Sequence, residues 1–283
     1  MLHISPMTEE HDVGRSRRLP ATRKADLASY VGEVGQVTVA MLADRFNVST
    51  DTIRRDLDQL HADGVLIRTH GGAVSTSTVP HRDAGLNVRL RLHTTEKEQI
   101  GELAAGLVVD GSVIIVNAGT TTLALARHLR NHRDLTIATN NLLLASEISP
   151  KVFRELYVFG GAVRTITQAT TGPVSFQSAQ RRRELDIRCD LALIAVGAVS
   201  VDGGYSTSNL GEGEMMSEMI ERAAQVAILA DSSKFGRRLF ARVAELGRAD
   251  YIVCDTMPAP DLADAMRTRG VEIVTPDSPH PGL

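Results

Sequence analysis

The segment Val48 to Ala73, VSTDTIRRDLDQLHADGVLIRTHGGA, restricts the possible fold more than any other stretch of the chain. Ser49 can accept a first-turn amide with its hydroxyl, and Asp51 sets negative charge at the positive end of a helix dipole, so a helix should start at Thr50. Ile53, Leu57 and Leu60 recur at i, i+4 and i+7 and define its packed side. At about 100° per residue the outward side carries Asp51, Thr52, Arg55 and Gln59, with Arg54 at its flank. Such side chains reach base edges and phosphates: Arg pairs with guanine, Gln with adenine, Asp accepts from cytosine, and hydroxyls serve either. Gly64 is expected to stop the helix. Val65 to Thr69 reads as a short strand carrying Arg68 and leading to His70. Gly71-Gly72 then reads as a turn that permits positive backbone angles and close approach to a phosphate chain.

Upstream, Val39 to Phe46 reads as an amphipathic helix with Met41, Leu42 and Phe46, joined through Asn47-Val48 to the helix just described. Arg23 to Val34 is expected to form one more helix, ending at Gly35. Three helices with a short turn before the last, followed by a glycine-containing hairpin, make a winged helix-turn-helix. An arginine pair alone would be an ordinary solvated feature. Its place on an outward helix face, beside a Gly-Gly wing, points to double-stranded DNA.

The run from Arg23 through Gly72, with TIRRDL and HGGA as its most specific parts, resembles the DNA-binding domain of the DeoR family of bacterial repressors. The resemblance implies operator binding through Ser49, Thr50, Thr52, Arg54, Arg55, Arg68 and His70, to which the outward face adds Asp51 and Gln59 and the wing adds Gly71.

A net charge of −3 over 283 residues does not announce a nucleic-acid binder. Between Arg15 and Val74, nine basic residues face seven acidic ones, so geometry rather than bulk charge should govern binding. The chain has no Trp and is 4% aromatic, which disfavours a base-stacking single-strand binder. Cys189 and Cys254 lie far apart in apolar segments without metal-site spacing, and they read as buried thiols. The nine histidines show no ligand spacing either, and no metal or cofactor is expected. No apolar run approaches the roughly 20 residues that span a bilayer, and the polar start lacks a signal-peptide core, so a cytoplasmic protein is expected.

Residues 1–19 read as a disordered basic tail, 20–74 as the winged helix-turn-helix, 75–94 as a linker opening on a Ser/Thr run, and 95–283 as an α/β domain. In that last part, apolar runs at Val113 to Val116, Thr136 to Thr139, Leu156 to Phe159, Leu191 to Val196, Val226 to Ala230, Tyr251 to Cys254 and Glu272 to Val274 suit strands buried on both faces. Helices are expected between most of them, notably at Thr121 to Leu129, Val174 to Leu185 and Glu214 to Ala224. Repeated strand and helix predict a doubly wound, mostly parallel sheet. Arg181, Arg182 and Arg183 should form the solvated face of a helix.

Ligands of such sheets bind beyond the carboxyl ends of the strands. The first strand ends in Asn117-Ala118-Gly119-Thr120-Thr121-Thr122 and runs into a helix, where glycine, free amides and hydroxyls suit an anion, most naturally phosphate. Thr139-Asn140, Gly160-Gly161 and Asp231-Ser232-Ser233-Lys234 follow later strands, and Glu212 precedes a Met-rich helix. A lysine after a strand, facing a Gly-Thr helix start, predicts a sugar-phosphate pocket.

EKEQIGELAA, NAGTTTLALARHL, ATNN, FGGAVR, NLGEGEMMSEMI and LADSSKFGRRLF, with Arg89 ahead of Glu96-Lys97, again resemble the DeoR family. Its sensor domain is similar in fold to ribose-5-phosphate isomerase. The resemblance implies an effector pocket at Gly119, Thr120, Thr121, Asn140, Glu212 and Lys234, for a phosphorylated sugar or sugar alcohol. The chain departs from the family at Asn117, where Asp is common, at Gly213 for Ala, and at Met216 and Ser217 for basic residues. The expectation is a transcriptional regulator, a repressor acting as a dimer or larger homo-oligomer and not an enzyme. The alternative is a sugar-phosphate isomerase with a DNA-binding appendage, in which Glu212 is the base and Lys234 holds the anion.

Overall fold

The structure is a computed structural model that describes residues 20–34, 36–62, 65–69, 71–75, 86–177, 184–185 and 187–278. The chain divides into two compact units, Met1–Thr78 and Val79–Leu283. The tail at 1–19, the expected stops at Gly35 and Gly64, His70, and Arg181, Arg182 and Arg183 all lie outside the described residues.

In the first unit, α1 (Pro20–Val34), β1 (Gln36–Thr38), α2 (Val39–Phe46), α3 (Thr50–Ala62), β2 (Leu66–Thr69) and β3 (Gly72–Ser75) follow in order. Thr38 caps α2 by accepting the Met41 amide at 3.2 Å. Asn47, with φ 50°, closes the helix in the left-handed conformation, which Asn tolerates better than most residues. The Thr52 amide donates to Ser49 Oγ at 3.2 Å, so α3 starts where its cap requires. Leu27, Val31, Leu42, Ile53, Leu57 and Leu66 form the core, each burial stabilising by roughly 1.5–3 kcal/mol. Met41, expected on the packed side of α2, is instead exposed. The strand β1 was not legible as such. It pairs antiparallel with β3, and β3 with β2, giving a three-stranded wing.

That third strand changes the reading of Gly71-Gly72. Neither glycine has a positive φ. A Cβ at Gly72 would lie 1.9 Å from the Val37 carbonyl oxygen, whereas one at Gly71 would meet nothing within 4 Å. Gly72 is therefore demanded by the close approach of β1 rather than by turn geometry.

The second unit opens with α4 (Leu86–Arg91), within the span read as linker, and α5 (Thr94–Ala105). There follow β4 (Val113–Val116), α6 (Thr120–His128), β5 (Leu135–Thr139), α7 (Leu144–Glu147), β6 (Phe153–Val158), the hairpin β7 (Ala162–Arg164) and β8 (Ala169–Thr171), β9 (Phe176–Gln177) and β10 (Glu184–Leu185). The chain continues through β11 (Cys189–Ala195), β12 (Ala198–Ser200), β13 (Gly204–Thr207), α8 (Leu210–Glu221), β14 (Ala223–Leu229), β15 (Ala241–Ala244), β16 (Tyr251–Val253), α9 (Pro260–Arg267) and β17 (Glu272–Val274).

The main sheet runs β17-β16-β14-β11-β4-β5-β6, every pair parallel. Successive residues face opposite cores. In β11, Leu191 and Leu193 join α5 and α6 through Ile100 and Leu125 on one face. Ala192 and Ile194 join α8 and α9 through Met219 and Met266 on the other. Near-continuous apolar strands and helices on both faces follow from that double burial. The run expected to be buried at Leu156 to Phe159, however, falls largely on the edge strand β6, where Tyr157 and Val158 are exposed because no further strand among the described residues covers them. Cys189 and Cys254 are buried, and their burial pushes both thiols up to about 12. Among the described residues no helix is long and apolar enough to cross a membrane.

The helix expected at Val174 to Leu185 is not found among the described residues of that span: β9 pairs antiparallel with β10. Phe176 stacks on Phe159, ring centroids 5.1 Å apart, which holds Phe176–Gln177 in extended form beside the end of β6.

Strand order places the functional end of the sheet. From β4 the chain moves outward to β5 and β6, and from β11 the opposite way to β14, β16 and β17. The crevice of a doubly wound sheet opens beyond the carboxyl ends of the two strands where direction reverses, here β4 and β11.

Candidate functional site

On α3, Asp51, Arg54, Arg55, Asp58 and Gln59 are exposed, as are Ser49 and Thr50 just ahead of them, and Thr52 is half-buried. The exposed charges are not equivalent. Arg54 pairs with Asp51 at 2.8 Å, and Arg68 on the wing pairs with Asp58 at 2.8 Å while donating to the Gly72 carbonyl at 3.2 Å. Arg55 has neither a hydrogen bond nor an ion pair among the described residues, so its guanidinium is free to meet a partner.

Asp56, which carried no reading in the sequence, is 5% exposed. It accepts from Arg23 Nε at 2.6 Å and from Arg23 Nη2 at 3.2 Å. This two-pronged ion pair fixes α1 against α3 and holds the exposed face in orientation.

The second unit contains a cavity of about 90 Å³ at the β4/β11 crevice. One water needs roughly 10–15 Å³ by this kind of measure, so the space suits a small polar molecule. Of the residues expected there, Thr120, Thr121, Glu212 and Lys234 line it. The amides of the first turn of α6 have no acceptors within the helix and are left for a ligand.

Asn117, Gly119, Thr122, Asn140, Gly160 and Gly161 do not line the cavity. Asn117 donates from Nδ2 to the Ala195 carbonyl and accepts the Ala195 amide at Oδ1, each at 2.8 Å. Thr122 Oγ1 donates to the carbonyls of Asn117 and Gly119 at 2.8 and 2.9 Å. Asn140 accepts the Ala118 amide at 2.7 Å and donates to the Thr170 carbonyl at 2.9 Å. These polar side chains hold the loop that presents Thr120 and Thr121. Gly119 packs against Ala195, where a Cβ would lie 2.9 Å from the alanine's own. A Cβ at Gly161 would lie 2.2 Å from the Thr171 carbonyl oxygen, so it serves the β7–β8 hairpin.

Sequence reasoning missed most of the cationic lining. Arg89, Lys97 and Arg164 join Lys234 around the cavity, against the carboxylates of Glu212 and Asp231. Burial lowers the pKa of Arg89, opposed by Glu212 and Asp231, and lowers that of Lys234, opposed by Asp231. Lys97 is 6% exposed, and burial brings it down to about 8, against the pull of Asp231. Its Nζ donates to the carbonyls of Arg89 and Leu92, so it also ties down the end of α4. Burial acts to raise Asp231, but Lys234 and the hydroxyl of Ser233 outweigh it and keep the carboxyl below its usual range. Asp231 Oδ2 is buried without a hydrogen-bond partner among the described residues, with Lys234 Nζ 3.6 Å away. Lys97 was legible in principle: with Ile100, Gly101 and Ala104 it occupies one face of α5, a lysine in a buried stripe.

Glu212 is committed. Its Oε1 accepts from Arg164 Nε and from Thr167 Oγ1, each at 3.0 Å, and its amide donates to the N-cap Asn209 at 3.0 Å.

Two family profiles match the chain: one described as a DeoR-like helix-turn-helix domain over residues 23–79, and one as the DeoR C terminal sensor domain over residues 92–256. The chain is 30% identical over 266 residues to the putative aga operon transcriptional repressor of Escherichia coli O157:H7, covering 93% of this chain and 97% of that one. It is 33% identical over 252 residues to the HTH-type transcriptional repressor GlcR of Bacillus subtilis (strain 168), covering 89% and 95%. Among solved structures, ribose 5-phosphate isomerase A from Methanocaldococcus jannaschii aligns over 49% of this chain and 53% of its own, with a TM-score of 0.33 and 16% identity.

Proposed function

The chain belongs to the DeoR family of transcriptional regulators, and from that premise we propose that it represses a sugar or sugar-alcohol catabolic operon and leaves its operator when a phosphorylated metabolite fills the cavity of the second unit. The helix-turn-helix domain implies DNA binding and the sensor domain implies an effector. The observation that carries the reading is the cavity's charge: Arg89, Lys97, Arg164 and Lys234, with the start of α6, surround two carboxylates. Such a site favours an anion strongly. Asp231 Oδ2, which pairs with Lys234 but accepts no hydrogen bond among the described residues, asks for a donor, which the hydroxyls of a sugar or polyol provide.

On the DNA side, Arg55 reads a base edge and Thr50, Thr52, Arg54 and Gln59 complete the contact. Ser49 acts through its cap, and Arg68 and Gly71 belong to the wing. A palindromic operator needs two such helices about one turn of DNA apart, so the working form is a dimer or larger assembly. Effector weakens DNA binding only by favouring one arrangement over the other, and DNA then weakens effector binding by the same factor.

An isomerase reading requires Glu212 as a free base, and both Arg164 and Thr167 occupy its Oε1. Purified protein incubated with pentose and hexose phosphates separates the two: saturable binding without turnover supports the sensor, and turnover overturns it.

A further inference from the structure

The β7–β8 hairpin contributes Arg164, Ile166 and Thr167 to the cavity wall, and its two strands are held unequally. β8 is bonded to the loop after β5: the Thr170 amide donates to the Asn140 carbonyl at 2.9 Å, and the Leu142 amide to the Gln168 carbonyl at 3.1 Å. β7 pairs with β8 alone among the described strands, and its Ala162 and Val163 are exposed. What ties β7 and the tip to the far side of the cavity is Glu212, at the start of α8, through Arg164 and Thr167.

The tip has a second attachment. The Ile166 carbonyl accepts the amide of Leu86 at 3.2 Å. Leu86 begins α4 and is the first described residue after β3, so it stands at the end of the segment that runs on from the recognition unit. α4 itself carries Arg89 into the cavity wall, and Lys97 holds the carbonyls at its end.

We propose that Glu212 is a latch: by holding Arg164 and Thr167 it seats the hairpin tip, and the seated tip in turn seats the start of α4, so that closing the cavity and fixing the end of the inter-unit segment are one event. This rests on the reading of the cavity as the effector site. A phosphoryl group entering the cavity offers Arg164 an anion that competes with the Glu212 carboxylate. The tip then settles differently, and the Leu86–Ile166 bond carries that difference to the segment from the recognition unit. The device needs no change in the sheet, whose central strands β4 and β11 are buried on both faces.

The test is amide hydrogen exchange on the full-length protein without effector, comparing wild type with Glu212→Gln, Arg164→Ala and, as control, Arg242→Gln, which breaks a surface pair with Glu245. Loss of a charge-assisted bond should speed exchange of the released segment about tenfold. Glu212→Gln and Arg164→Ala should each accelerate residues 162–171 and residues 86–92 together, and leave β4, β5 and α6 unchanged; Arg242→Gln should move neither segment. Acceleration of the hairpin with 86–92 unaltered, or of neither, overturns the latch. Should Glu212→Gln fail to fold, Arg164→Ala decides alone. Binding of inorganic phosphate and glucose 6-phosphate to wild type is measured separately: its absence counts against the effector reading, while the exchange data still score the latch.

Discussion

Asn117 stitches the crevice shut from below: its side-chain amide makes two hydrogen bonds of 2.8 Å with the backbone of Ala195, one in each direction. The pair links the residue just after β4 to the last residue of β11, at the point where the sheet reverses direction. Asn117 is fully buried, so truncation strands both backbone groups without solvent. Asn117→Ala should cost about 1–3 kcal/mol and lower the Tm of the second unit by several degrees. Asn117→Asp should cost a comparable amount, because it loses the donor to the Ala195 carbonyl and turns a carboxylate toward it. Thermal unfolding of the purified variants checks both.

The wing makes a sharper prediction from two adjacent glycines. Gly72→Ala puts a methyl group within 1.9 Å of the Val37 carbonyl oxygen, whereas Gly71→Ala meets open space. The first should break the β1–β3 pairing and destabilise the first unit by about 3 kcal/mol, the upper end of the usual cost of overpacking. Gly71→Ala should be near neutral for folding. Circular dichroism melts of the two variants separate them.

Lys97 gives the cavity a pH dependence. Its folded pKa of about 8 lies below the ordinary 10.5, so the folded state sheds this proton before the unfolded state does. Stability should therefore rise as pH climbs from about 8 toward 10.5. Anion affinity runs the other way: the cavity loses a positive charge as pH rises through about 8, while the phosphate, with a second pKa of about 6, is already fully ionised. Effector affinity should fall between pH 7 and 9, and Lys97→Arg should flatten that fall. Isothermal titration across this range provides the check.

The two units should separate in function. Arg55→Ala should cost about 1–3 kcal/mol of operator affinity and relax base preference at one position, with effector affinity of the DNA-free protein unchanged. Lys234→Ala should keep operator affinity and lose response to the effector. A Lys234→Ala protein released as readily as wild type would remove that lysine from the anion site.

Much of the architecture could be read from periodicity, because α3 carries its apolar residues on one face and the central strands β4 and β11 are apolar through most of their length. β1 escaped because three residues are too few for a period to register, yet it is the reason Gly72 must be glycine. The segment from Val174 resembled a helix by spacing, and the Phe176–Phe159 stack, a contact between distant residues, decided against it. At the candidate site, Thr120, Thr121, Glu212 and Lys234 were legible because strand ends converge in this topology. Arg89 and Arg164 were not, since they reach the cavity from α4 and from a hairpin whose place no local pattern reveals. Asn117, Thr122 and Asn140 look like ligand donors in sequence because a polar group at a strand end carries no mark of whether it faces solvent or backbone.

The most direct measurement is fluorescence anisotropy of labelled DNA from upstream of the chain's own coding sequence, titrated with full-length protein in the absence and presence of a panel of phosphorylated sugars and sugar alcohols. Specific binding that at least one of these compounds weakens in wild type, but not in Lys234→Ala, is the predicted result. Binding no tighter than to scrambled DNA, or specific binding that no phosphorylated compound alters, would contradict the account.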